Sequence, residues 1–150
     1  MLQYSTNKQN RNYKMAGITN LQQLLSTMQP KLWPGDYVFC TVSSTHKVDQ
    51  QKIIGLFREQ EGCTIIIEKE LADSMQLSYS FVAAWITLSV HSSLEAVGLT
   101  AAFSSALAKE GISCNVVAAF YHDHIFVAKD DALKAMDILV SLSAQLNAKS

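Results

Sequence analysis

Two polar clusters in this chain have residue types and spacing that could do chemistry. The first is His91-Ser-Ser-Leu-Glu-Ala-Val-Gly98, a turn between an alternating strand pattern and a helical one. A glycine opening a helix lets a ligand approach the backbone, and the free N–H groups of the first turn can receive an anion such as a carboxylate. The bland alternative is a glycine needed only for helix–strand packing, with Glu95 solvated. The second cluster is His122-Asp123-His124. On a strand both imidazoles would share one face, a suitable start for a zinc or other transition-metal site, with His91 or Glu95 completing it. Yet the triplet lies between Phe120-Tyr121 and Ile125-Phe126-Val127, where a tight hairpin turn is expected, and Asp and His are ordinary turn residues. Both readings stay open.

Catalysis finds little support. Ser92 and Ser93 have no nucleophile-elbow surroundings, and no GxSxG, P-loop, GxGxxG or CxxC occurs. A Ser–His–Asp set could be assembled from His91, Ser92 and Asp123, but a chain of this size offers many such combinations. No cofactor is expected. Trp33 and Trp85 could stack on a ligand, although a strand tryptophan is more often a core or interface residue.

The elements that must position these clusters are legible from periodicity. Ile86, Leu88 and Val90 alternate with Thr87 and Ser89, as in a half-buried strand. Leu99, Phe103, Ala106 and Leu107 recur at helical spacing, and Gly111 follows where a helix C-terminus favours a left-handed residue. Ile112, Cys114 and Val116 resume the alternation. Upstream, Thr19 and Gln22 read as a capping box before the stripe Leu21, Leu24, Leu25, Met28, with Pro30 and Pro34-Gly35 ending that helix. Strands are expected at 36–42, 63–68, 81–90, 112–121 and 124–128. Ile53, Ile54 and Phe57 predict a short helix stopped by Gly62, and Leu71–Leu77 a helical turn. Setting Glu61-Gly62 on Glu110-Gly111 brings Ser43-Ser44 onto Ser92-Ser93 and Val48 onto Val97, an internal repeat of 49 residues. The first copy carries Asp49 where the second has Gly98.

Composition bounds the rest. A chain of 150 residues, 49% hydrophobic and 17% charged, is of the compact globular class and long enough for one core or two small halves sharing one. A net charge of −1 with scattered Lys and Arg argues against nucleic-acid and anionic-membrane partners. No apolar run approaches the roughly 20 residues of a membrane span. Cys40, Cys63 and Cys114 fit neither a disulfide framework nor a zinc motif, and suit reduced thiols in a cytoplasmic protein. Residues 1–14 read as a disordered leader, with Met15 as an alternative start.

The order Val97-Gly-Leu-Thr100, one helix, Gly111-Ile-Ser-Cys-Asn-Val116, then Ala118–Val127 and Asp130–Met136 resembles the ACT domain over residues 81–147. The likeness is to the type in aspartokinases and animal arginine sensors. It implies an α+β, ferredoxin-like fold in tandem halves, 15–78 and 79–150, with an antiparallel-rich sheet and helices on one face. It further implies a regulatory module without catalytic activity that binds a small molecule, an amino acid above all, where two ACT halves or subunits meet. Carried onto this chain, that site comprises Glu95, Val97, Gly98, Leu99 and Asn115. Asp123 joins them because related domains carry an acidic residue near this hairpin, which could hold an amine. Edge strands of such small sheets are exposed unless paired, so a homodimer is expected. The alternatives are a ligand-free interaction module on the same scaffold, and a metal-binding protein using His122 and His124.

Overall fold

The computed structural model describes residues 20–90 and 97–147; the leader, Thr19, His91, Ser92, Ser93 and Glu95 lie outside the described residues. Four helices, α1 (Leu21–Thr27), α2 (Lys69–Ser74), α3 (Leu99–Lys109) and α4 (Ala132–Asn147), pack on one face of a seven-stranded sheet. The strands are β1 (Gln29–Leu32), β2 (Tyr37–Val42), β3 (Gly55–Arg58), β4 (Cys63–Glu68), β5 (Val82–Ser89), β6 (Asn115–Ala118) and β7 (Asp123–Ala128). Their spatial order is β3-β4-β2-β5-β7-β6, all pairs antiparallel, with β1 also on β5. This is an α+β, ferredoxin-like arrangement in two halves.

Strand β5 joins the halves. Its first residues, Val82 and Ala83, pair with Val38 and Tyr37 of β2 and complete the sheet β3-β4-β2. Its later residues, Ile86 to Ser89, pair with Leu32 to Gln29 of β1 and complete the sheet β5-β7-β6. The strand that finishes the C-terminal sheet therefore comes from the N-terminal part of the chain. Sequence reading took Pro30 as a stop and missed β1. Proline lacks the donor for a ladder bond on both sides, but β1 pairs only with β5, the edge position that tolerates it.

The registers correct the repeat. A shift of 46 residues carries Tyr37–Val42 onto Ala83–Leu88, whereas Gly55–Arg58 and Cys63–Glu68 need 60 to reach Asn115–Ala118 and Asp123–Ala128. The surplus lies in the crossover, which holds α3 in the second half. The first crossover has only a 3₁₀ turn, Gln50–Lys52, capped by the Asp49 carboxylate accepting from the Gln51 N–H at 3.0 Å. The helix expected on Ile53, Ile54 and Phe57 does not form. Too few residues separate β2 from β3, and Phe57 lies in β3.

Alternation sorts the strand residues onto two faces. Val38, Cys40, Ile65, Ile67, Ile86, Leu88, Ile125 and Val127 point toward the helices. Leu24 and Leu25 of α1, with Met28 just after it, enter the same core as Leu88, Phe103 and Leu139. Tyr37, Phe39, Ile66, Trp85 and Phe126 line the helix-free face. The placement of α1 generates a test. Leu24→Ala should cost about 2–5 kcal/mol in urea unfolding, the range for a buried leucine. A loss below about 0.5 kcal/mol, the range of surface substitutions, would put α1 outside the core.

Candidate functional site

Leu88 near the end of β5 pairs with Asp123 at the start of β7 and shares one buried cluster with Leu99 at the start of α3. Asp123 pairs with Leu88 on one side and Ala118 on the other. Alternation with Ile125 and Val127 directs its side chain to the helix-bearing face, where it is only 7% exposed. Burial pushes its carboxyl above the ordinary value of 3.8, and the nearby His122 partly opposes that. Only His122 of the triplet belongs to the hairpin turn, and Asp123 and His124 open β7. That turn is Ala119–His122, closed by the Ala119 N–H donating to the His122 carbonyl at 3.0 Å. Phe120 and Tyr121 occupy its tip, 63% and 59% exposed. Turn composition pointed to the polar residues, but here the aromatic pair faces solvent and the aspartate is buried.

Gly98 precedes α3 at φ +98°, a conformation that disfavours other residues, and a Cβ there would lie 3.1 Å from Leu21 Cδ2 of α1. Among the described residues no side chain caps this helix, and Ala102 makes the first backbone bond, to the Gly98 carbonyl. The N–H groups ahead of Ala102 have no intrahelical acceptor, the general condition of a helix N-terminus. Leu99 is buried in the core, while Val97 is 85% exposed. The Nδ1 of His122 is buried and, among the described residues, without a hydrogen-bond partner.

Asn115 stands apart from this group. It pairs with Phe126, toward the opposite end of the β6–β7 ladder from Asp123, and its Nδ2 donates to the Phe126 carbonyl at 3.2 Å. Its side-chain bond locks a strand edge.

The two histidines are not brought together with a third ligand: the described residues hold no group of three His, Cys, Asp or Glu placed to bind a metal. His124 is committed elsewhere. On the helix-free face its Nδ1 accepts from Trp85 Nε1–H at 3.1 Å and lies 2.9 Å from Thr87 Oγ1. Thr87 Oγ1 in turn accepts from Trp33 Nε1–H at 2.8 Å. The two tryptophans stack on each other, centroids 4.7 Å apart and 14° from parallel, and Lys31 Nζ sits 3.8 Å from the Trp33 ring centroid. Sequence analysis missed this network, whose signal was the β5 alternation Trp85, Thr87 opposite His124 and Phe126.

With this geometry in place, comparison identifies the family. Two ACT-domain profiles match in tandem, over residues 16–84 and 80–141, and the chain belongs to the ACT-domain family. Their overlap, 80–84, includes Ala83 of β5, which pairs with both β2 and β7. A crystal structure of a protein of unknown function from Vibrio cholerae, described as a possible transport protein, is 48% identical. It aligns over 82% of this chain and 95% of its own, with a TM-score of 0.74. A protein from Agrobacterium tumefaciens, 20% identical over 77% of this chain and 89% of its own, shares the fold with a TM-score of 0.58. So does the aspartate kinase of Clostridium acetobutylicum, 10% identical over 79% of this chain and 34% of its own, TM-score 0.54. No curated protein sequence matches significantly. No helix among the described residues is long and apolar enough to cross a membrane. ACT domains are regulatory small-molecule-binding modules, and that is the class of this protein.

The His124 network predicts a pH dependence. Burial, then the charge of His122, lowers the His124 pKa below its ordinary 6.5. The unfolded chain therefore takes up a proton near pH 6.5 that the folded chain resists. More protons on the unfolded state mean stability falls as pH falls, from about 6.5 down to the folded pKa, where the dependence levels off. Urea unfolding between pH 7.5 and 5.5 should show this slope, and His124→Phe should flatten it.

Proposed function

We propose that this protein is a non-catalytic sensor that binds an amino acid at the N-terminal end of α3. The observation that carries the reading is Asp123, a buried acidic side chain whose ladder partner, Leu88, shares one buried cluster with Leu99 at the start of α3, a helix no described side chain caps. A zwitterion matches those two features. Its carboxylate is received by the N–H groups at Gly98 and Leu99, next to Val97, and its ammonium by Asp123. Glu95 belongs to the same turn in sequence. Asn115, on the helix-free face, is left out of this contact set.

The exposed apolar side chains Val97, Phe120 and Tyr121 flank the α3 turn and the β6–β7 turn. A second copy set against them would bury that surface and close the ligand in, so the reading includes a homodimer, with the halves 15–78 and 79–150 acting as one responsive unit. With no disulfide among the three cysteines, it also includes the cytoplasm as the place of action.

A thermal-shift screen of the twenty amino acids tests the site. At 100 times its Kd a ligand adds about 2.7 kcal/mol to stability, readily visible as a raised melting temperature. Asp123→Asn should remove that shift yet raise the melting temperature of the free protein at neutral pH. Its folded pKa is raised, so above that pKa the ionised carboxylate costs stability that the amide does not. Asn115→Ala should keep the ligand shift while losing about 0.5–1.5 kcal/mol of stability with its hydrogen bond. No shift by any amino acid at millimolar concentration, or a shift that survives Asp123→Asn, would leave a ligand-free interaction module as the better reading. Light scattering at micromolar protein should report a dimer; a monomer with and without the active amino acid would exclude closure by a second copy.

A further inference from the structure

The helix-free face is concave enough to hold a cavity of about 480 Å³. Ile54 and Gly55 at one edge of the sheet and Val117 at the other line it together with Trp85, His124 and Phe126 near the middle. A sheet whose opposite edges reach one cavity has curled around it. The Trp85 and Phe126 rings are 14° from parallel with centroids 6.2 Å apart, but Phe126 is only 1% exposed, so the accessible aromatic surface is that of the partly buried Trp85. The volume falls within the range of small-molecule sites.

The polar groups here are few and directed. Because Trp85 Nε1–H donates to His124 Nδ1, the neutral ring carries its proton on Nε2. His124 thus presents a fixed donor, held by the Trp33–Thr87–His124–Trp85 network. Gln51 adds an adaptable amide at the rim. Among the described residues no Asp, Glu, Lys or Arg lines the cavity. An amino-acid zwitterion would be desolvated there without a counter-charge, which is unfavourable.

We propose that this cavity is a second small-molecule site, separate from the α3 turn, that takes an uncharged flat heteroaromatic. Its ring packs against the accessible surface of Trp85, and its ring nitrogen or carbonyl oxygen accepts a hydrogen bond from His124 Nε2–H.

The chain has two tryptophans, so their indole N–H signals in a ¹⁵N spectrum report this face directly. Quinoline, titrated at pH 7.5, should shift the Trp85 signal saturably. Indole, of similar shape but without the acceptor, should bind about tenfold more weakly, the worth of one hydrogen bond. Val117→Phe, which fills the cavity from its edge strand and leaves the network intact, should abolish the shift while the rest of the spectrum stays folded. His124→Phe, if folded, should equalise quinoline and indole. The proposal is overturned if millimolar quinoline leaves Trp85 unmoved, or if the shift persists in Val117→Phe. It is also overturned if the Trp85 signal moves with protein concentration alone, since a second copy would then cover the face. None of these outcomes depends on the amino-acid screen, so the two sites stand or fall separately.

Discussion

Everything in this fold depends on the divided pairing of β5. One edge of the strand holds β7 along six residues, and the other is split between β2 and β1. Neither sheet is complete without it, and β1 reaches it only because α1 and Met28 are buried against the C-terminal core. Small ferredoxin-like units bury too little surface to be secure alone. Sharing β5 and exchanging β1 removes the open edge each half would present at the junction. A displacement of β5 must therefore be felt by both halves, which is the mechanical condition for a regulatory unit.

The distribution of polar and apolar groups departs from what stability alone would select. At the β6–β7 turn two aromatics are exposed while the adjacent aspartate is buried with a raised pKa. On the other face a histidine is half-buried at the expense of its protonated form. Such inversions concentrate where function competes with folding. Their location differs from that of the ordinary surface ion pairs, Lys69–Asp73 and Lys129–Asp36, which lie away from both sites and contribute little to stability.

Local patterns were legible where local physics decides. The two-sided apolar run of β2, the β-branched run of β4, the alternation of β5 and the stripe of α3 follow from which side chains must be buried. Gly98 and Gly111 were readable because both sit at positive φ, where a Cβ is disfavoured. What failed was non-local. β1 is made a strand by β5, more than fifty residues away, and nothing within Gln29–Leu32 outweighs its proline. The segment 50–58 has helical spacing, yet the short crossover and the edge of β4 turn it into a 3₁₀ turn and a strand. The candidate site was legible in part. Val97, Gly98 and Leu99 are adjacent in sequence, but whether Asn115 and Asp123 join them depends on register, and the ladder puts those two near opposite ends.

Register also explains how one short strand serves two faces. Asp123 and His124 are consecutive in β7, so one points toward the helices and the other toward the aromatic cavity. Their partners across the ladder, Leu88 and Thr87, are consecutive in β5. The two proposed sites, one charged and one neutral, are thus separated by the thickness of a single sheet and share the same two strands. Any ligand that shifts the β5–β7 register or twist at one face must alter the hydrogen bonds of the other. Such coupling is reciprocal, with the same free energy read from either site. Two sites on one ladder can therefore communicate through backbone geometry, with no domain movement required.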